Sequence, residues 1–193
     1  PQAEAIALVG ATVHTVSGDT IANGTVVLDG GKITAVGGDA TAAGTAQRID
    51  LHGLHVYPSL VSADTVLGLT EIGAVRATRD IDEVGELNPN ARAEVAVDPD
   101  SELLPVTRSN GILVAVTAPR GGLVSGTAAV LGLDGWTFED MTIKAPAALR
   151  VEWPAMVLDR SPGARVPLEK QELERDLRIE RLKEAFATAR AYA

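Results

Sequence analysis

The first part of the chain alternates apolar and polar residues over short runs that are separated by turn signals. Alternation with a period of two predicts half-buried strands, and an Asp-Gly pair between two such runs predicts a tight hairpin turn. That turn falls at Asp29-Gly30-Gly31-Lys32. The predicted strands are 6–16, 25–28, 33–36 and 48–51. We therefore predict an all-β segment over residues 1–54.

Two longer runs in the middle of the chain, Val56–Val61 and Ile112–Ala118, are apolar along their whole length. Such runs are typical of strands that are covered on both faces of a parallel sheet. The polar segment between them contains two predicted short helices, at 92–97 and 102–109. Helical residues between two buried strands predict a βαβ unit. Residues 55–193 are therefore predicted to form an α/β domain.

The end of the chain changes from strands to a long charged helix. Apolar runs at 128–133 and 143–153 predict further strands, and Thr137 followed by Asp140 resembles a helix N-cap. Residues 168–193 combine alternating acidic and basic residues with leucines near helical spacing. We expect an amphipathic helix that covers its own sheet, although the same pattern suits a helix that binds a partner.

The segment 54–73, LHVYPSLVSADTVLGLTEIG, resembles the first barrel strand of the amidohydrolase superfamily. In that family the strand reads Pro-Gly-Leu-Ile-Asp-Ala-His-x-His-Leu-Gly, and its two histidines bind the catalytic metal. The two His positions fall on Asp64 and Val66, and the family's Gly and Asp fall on Ser59 and Ser62. The matching positions are Pro58, Leu60, Val61, Ala63, Leu67 and Gly68. The likeness is nearest to the imidazolonepropionase-like branch and lacks the His pair.

This resemblance implies an α/β fold that begins with a small β-sandwich segment and continues into the first strands and helices of an incomplete (β/α)8 TIM barrel. A full barrel takes about 250 residues, and four strands cannot close one. The resemblance thus implies a complementary C-terminal barrel chain or cleaved partner, hence a hetero-oligomer. It also implies a divalent metal such as zinc in the complete assembly, with none bound tightly by this chain alone.

Asp64 is the candidate metal ligand, because the resemblance places it where the family has one. A carboxylate is a hard oxygen ligand, and Ser62 or Thr65 would assist it. The alternative is a strand-end carboxylate that accepts hydrogen bonds from neighbouring backbone N–H groups. No catalytic residue is assigned, because no serine has both a nucleophile-elbow context and an evident base.

The loop that follows the second buried strand is rich in glycine. Arg120, Gly121, Gly122 and Ser125 are the candidate residues for a substrate or anion pocket, because backbone N–H groups of such loops can face a ligand. The alternative is a tight turn that requires positive φ. The three histidines, His14, His52 and His55, are interpreted as structural or solvated residues. His52 and His55 would point to opposite faces of an extended chain.

Composition narrows the choice of partners and cofactors. The net charge of −9 and the pI near 4.8 argue against nucleic acid or an anionic membrane surface as partner, because there is no excess of basic residues to meet phosphate. The absence of cysteine removes thiol nucleophiles and zinc–thiolate sites. No apolar run approaches the roughly 18 residues of a membrane span. The first residues, Pro-Gln, are compatible with a removed signal peptide, so we expect a periplasmic or secreted location, and otherwise a cytoplasmic one.

Three functions remain open from the sequence. The first is a metal-dependent hydrolase of amide or cyclic amide C–N bonds, of which this chain is the N-terminal part. The second is a non-catalytic pseudoenzyme subunit that scaffolds a partner amidohydrolase chain. The third is a small β-rich binding module, which the order of sandwich and βαβ unit disfavours.

Overall fold

A computed structural model describes residues 5–38 and 46–192. The chain divides into two compact units, Pro1–Ser59 and Leu60–Ala193. The division falls after Ser59, whereas the sequence pattern placed it after Leu54. The reason lies in Pro58, which has no N–H to donate to a sheet and separates a strand of the first unit from the first strand of the second.

The first unit is built on one five-stranded sheet. Its strands are β1 (Ile6–His14), β2 (Thr20–Asp29), β3 (Lys32–Gly37), β4 (Gln47–Asp50) and β5 (His55–Val56). The order is β3-β2-β1-β4, and β5 also pairs with β1. Asp29 pairs with Lys32 across a two-residue turn in which Gly30 and Gly31 have φ of 55° and 73°. The predicted hairpin is therefore confirmed.

The expected β-sandwich does not form within the described residues of this unit. Ala11, Val13 and Val26 make a small buried cluster on the single sheet. A sandwich requires a second sheet packed about 10 Å from the first. The strands β1 to β5 all belong to one hydrogen-bonded sheet, so they supply only one of the two layers that a sandwich needs.

The second unit mixes one βαβ unit with antiparallel strands. Its elements are β6 (Leu60–Thr65), two 3-10 turns (Arg76–Thr78 and Ala93–Ala96), α1 (Leu103–Ser109), β7 (Ile112–Thr117), β8 (Val124–Gly132), α2 (Phe138–Met141), β9 (Thr142–Val151) and α3 (Leu168–Tyr192). The sheet order is β6-β7-β8-β9. β6 and β7 are parallel, as the pattern predicted, whereas β8 and β9 are each antiparallel to the preceding strand.

The first strand of the second unit begins later than predicted. The sequence indicated a strand over Val56–Val61, but His55–Val56 belongs to the first sheet and the strand of the second sheet is Leu60–Thr65. This prediction was wrong because an apolar run does not reveal which sheet each half of it joins. As a consequence, the polar residues Ser62, Asp64 and Thr65 lie within β6 instead of beyond its end.

Within this chain alone the strand is not covered on both faces. Leu60 is 63% exposed and Val61 is 58% exposed. The buried core lies further into the sheet, against β7 and β8, and includes Ala115 and Leu131. β6 is the first strand of the order β6-β7-β8-β9, so its outer edge has no ladder partner among the described residues.

The remaining elements follow the sequence closely. Thr137 accepts a hydrogen bond from the backbone N–H of Asp140, so the predicted N-cap is confirmed. The helix α3 begins at Leu168 as predicted, but Leu182 is its only fully buried residue within the described part. Leu173 and Leu177 are 60% and 61% exposed, so the helix covers its sheet only in part. No described helix is long and apolar enough to cross a membrane.

Candidate functional site

The predicted site residues of the second unit collect at one end of its sheet. Because β7 to β9 reverse direction twice, β9 runs parallel to β6 and β7, and all three strands end at the same edge. β8 begins at that edge. Asp64, Arg120 and Ser125 are placed there by β6, by the loop after β7 and by the start of β8. Arg150 joins them from the end of β9.

Asp64 lies at the centre of an ion cluster. Its Oδ1 accepts hydrogen bonds from Nη2 of Arg120 at 3.0 Å and from Nη1 of Arg150 at 2.5 Å. Arg150 also donates to Oε1 of Glu152 at 2.9 Å. The side chain of Asp64 is 54% exposed, and those of Arg120 and Arg150 are 32% and 21% exposed. The two guanidinium groups are thus the less exposed members of the cluster.

Two features of the sheet bring Asp64 to this position. The pairing of β6 with β7 changes register between Ser62 and Thr65, where three residues of β6 advance against two of β7. Such an irregularity redirects side chains and is common beside functional sites. β7 and β8 lie between β6 and β9, so the contact between Asp64 and Arg150 spans two intervening strands at this end of the sheet.

The donor set on the Oδ1 side of Asp64 does not fit a metal centre. A cation beside Oδ1 would meet two guanidinium groups, and like charges in contact repel. No group of three or more His, Cys, Asp or Glu side chains within the described residues could hold a metal ion. The hydrogen bonds of the described residues also do not join Ser62 or Thr65 to Asp64. The Oγ1 of Thr65 instead accepts from the backbone N–H of Leu67 at 3.1 Å.

The glycine-rich loop has a packing role. Gly122 has a φ of 68°, and a Cβ at this position would lie 2.8 Å from the carbonyl oxygen of Glu86. Ser125 is 1% exposed, and its hydroxyl donates to the carbonyl of Gly121 at 2.7 Å. The loop is thus a close backbone approach that only glycine permits. Through this hydrogen bond the buried Ser125 braces the turn.

Sequence reasoning missed two members of the ion cluster, Arg150 and Glu152. A signal was present, because Arg150 stands between Leu149 and Val151 in a predicted strand. A long charged side chain in such a run indicates a partner of opposite charge. Which carboxylate it meets depends on strand order, and the sequence does not give this order.

A second acidic group, Asp50, has a clear electrostatic environment in the first unit. The His52 side chain lies 2.7 Å from Oδ1 of Asp50, and the backbone N–H of His52 donates to the same oxygen at 3.0 Å. The side-chain hydrogen bond, and then the backbone one, hold the pKa of Asp50 below its ordinary value. Both groups lie at the surface, and no nucleophile among the described residues contacts them.

Comparison with solved structures identifies the fold. The chain is similar to an amidohydrolase from Thermotoga maritima, with 24% sequence identity and a TM-score of 0.69 over 76% of this chain and 38% of the other. It therefore spans about two fifths of the length of that protein. At this identity the likeness shows the fold alone, namely that of part of an amidohydrolase.

Two further solved structures match less of the chain. One is a prolidase complexed with N-methylphosphonate-L-proline, with 19% identity and a TM-score of 0.38 over 57% of this chain and 25% of the other. The second is a molinate hydrolase, with 30% identity and a TM-score of 0.31 over 36% of this chain and 15% of the other. No family model and no curated protein matches the chain.

Proposed function

We propose that this chain is a non-catalytic part of an amidohydrolase-fold assembly, in which an Arg–Asp–Arg ion cluster stands where the family holds its metal. The fold comes from the structural comparison, and the position of Asp64 comes from the match of its strand to the family motif. The chain would scaffold a complementary barrel chain that carries the later strands and any catalytic residues. It would supply structure to the site and no metal ligand.

The contact of Arg120 and Arg150 with Asp64 carries this proposal. In a metal site the carboxylate charge is neutralised by the ion, whereas here two fixed guanidinium groups neutralise it. These groups also fill the space on one side of the carboxylate. A metal ion bound to Oδ1 would be repelled by these two cations.

The proposed partner is supported by apolar surface in two places. Leu60 and Val61 are more than half exposed on an edge strand, and Leu173 and Leu177 are equally exposed on α3. An edge strand with exposed apolar residues is a template for another strand. A complementary chain would add a parallel strand beside β6 and cover these residues. The interface would be apolar and larger than about 2,000 Å².

The test is elemental analysis and sedimentation of the natively purified protein, with Asp64→Asn as the comparison variant. We expect no zinc that depends on Asp64 and a mass above the 20.0 kDa of the single chain. A stoichiometric zinc that disappears in Asp64→Asn would overturn the non-catalytic reading. A 20.0 kDa monomer whose β6 amides resist hydrogen exchange would overturn the proposed partner.

One observation favours a second candidate, the metal-dependent hydrolase of amide or cyclic amide C–N bonds. Both guanidinium groups contact Oδ1 of Asp64, and Oδ2 accepts no hydrogen bond from the described residues. The Oδ2 atom would then be the metal ligand, with the remaining ligands on the complementary chain. The measurement compares the zinc content of the assembly with that of the complementary chain by itself. This arrangement is excluded if the complementary chain by itself binds no zinc while the assembly that carries Asp64→Asn keeps its zinc.

A further inference from the structure

We infer that His14 and His55 form a two-histidine binding site for a divalent transition-metal ion, separate from the Asp64 cluster. Nε2 of His14 lies 2.9 Å from Nδ1 of His55. The two residues are distant in sequence and are brought together because β5 pairs with β1 in parallel, with His55 opposite Thr12. Imidazole nitrogen is a preferred ligand of Zn²⁺, Cu²⁺ and Ni²⁺.

The distance between the two nitrogens suits a shared ion. Zinc–nitrogen bonds of about 2.0–2.1 Å at a tetrahedral angle place two imidazole nitrogens about 3.3 Å apart. To bind an ion, the observed pair would open by about 0.4 Å, and each ring would turn so that its lone pair points at the ion and no longer at the other ring. In the metal-free state one ring N–H of the pair donates to the other nitrogen. On binding, the metal replaces that proton, so the nitrogens of both rings point at the ion.

The surroundings of His14 hold its ring in a fixed orientation. Tyr57 stacks on it with parallel rings and a centroid distance of 4.2 Å. On the other side of the ring, Nδ1 of His14 lies 3.4 Å from Oγ1 of Thr20. A histidine that binds metal through one nitrogen donates its other N–H to an acceptor that fixes the tautomer. Thr20 is placed to be that acceptor for the tautomer of His14 that carries its proton on Nδ1, in which Nε2 is free for the metal.

The site is open, and this determines what it takes. His55 and Tyr57 are exposed and His14 is half-buried, so water would complete the coordination of the ion. Two neutral nitrogen ligands favour a borderline ion such as Zn²⁺ over Mg²⁺ or Ca²⁺, which prefer oxygen. The site is thus a surface zinc site that binds metal with both imidazoles.

The experiment is a titration of the metal-free full chain with ZnCl2. Binding is measured by calorimetry and by NMR of the imidazole protons. The chain has three histidines and no cysteine, so His52 provides a matched control. We expect one equivalent of Zn²⁺ to bind, to shift the signals of His14 and His55 together, and to leave His52 unshifted. His14→Gln and His55→Gln should each abolish binding, whereas His52→Gln should retain it.

Thr20→Val adds a readout that a purely structural role would not change. It should weaken Zn²⁺ binding about tenfold, because it removes the group that orients His14. Circular dichroism of each variant checks that the sheet is intact. The inference fails if the double variant, which carries both His14→Gln and His55→Gln, still binds Zn²⁺ with the wild-type affinity. It also fails if His52→Gln weakens Zn²⁺ binding as much as His14→Gln does. Asp64→Asn should bind as the wild type does, so this result is independent of the proposed function.

Discussion

Replacing Asp64 with Asn tests the ion cluster directly. The variant keeps the shape of the side chain and removes the charge that Arg120 and Arg150 share. Hydrogen bonds to charged groups contribute about 1.5–3 kcal/mol when buried, and exposed ion pairs about 0.2–1 kcal/mol. Since Asp64 is 54% exposed, the lower range applies to each of the two pairs, and we expect a total loss of about 0.4–2 kcal/mol in the free energy of unfolding.

The assay is urea unfolding followed by tryptophan fluorescence. Both tryptophans, Trp136 and Trp153, lie in the second unit, so the signal reports the unit that contains the cluster. In a parallel thermal unfolding experiment, a loss of this size should lower the melting temperature by roughly 1–8 °C. Because the Debye length falls to about 3 Å in 1 M salt, the difference should shrink in 1 M NaCl.

The matched control is Glu180→Gln. Glu180 pairs with Lys183 on the exposed surface of α3, and both side chains are more than 60% exposed. This change should cost only about 0.2–0.5 kcal/mol. Equal effects in Asp64→Asn and Glu180→Gln would show that the cluster is an ordinary surface pair. A stabilised Asp64→Asn variant would show that the carboxylate is not satisfied by the arginines, and it would refute the proposal that they replace a metal.

Three further predictions test local features. Gly30→Val should destabilise the first unit by about 1–2 kcal/mol in thermal unfolding, because φ is 55° there, whereas Gly30→Asn should cost less. Gly122→Ala should cost at least about 2 kcal/mol in urea unfolding, because its Cβ would meet the Glu86 carbonyl. The control is Gly163→Ala, whose Cβ would have open surroundings. Equal and unchanged unfolding midpoints in the two variants would contradict this prediction. Carbon-detected NMR should find the pKa of Asp50 below its ordinary value, and His52→Gln should raise it. Because the folded pKa is lowered, the linked stability is present above the ordinary pKa and is lost as the pH falls through the folded value.

The sequence by itself determined the local elements. The Asp29–Lys32 hairpin, the Thr137 cap and the start of α3 at Leu168 depend on turn, cap and periodicity signals that act over a few residues. Such signals depend on backbone strain and on short-range hydrogen bonds, and both are determined by residues that are close in the sequence. The parallel pairing of β6 with β7 was also predictable, because the helical segment between them requires a crossover connection.

The tertiary structure alone decided which distant groups meet. The sequence placed Asp64 in a metal-site motif, but the two arginines beside it come from the loop after β7 and from the end of β9. Strand pairing also divides the run Val56–Val61 between two sheets. In the same way, it brings His14 next to His55. Strand order and register are set by packing over the whole unit, and no local pattern encodes them. The sequence likewise shows that Leu60 and Val61 are apolar, but their exposure depends on which elements lie beside β6.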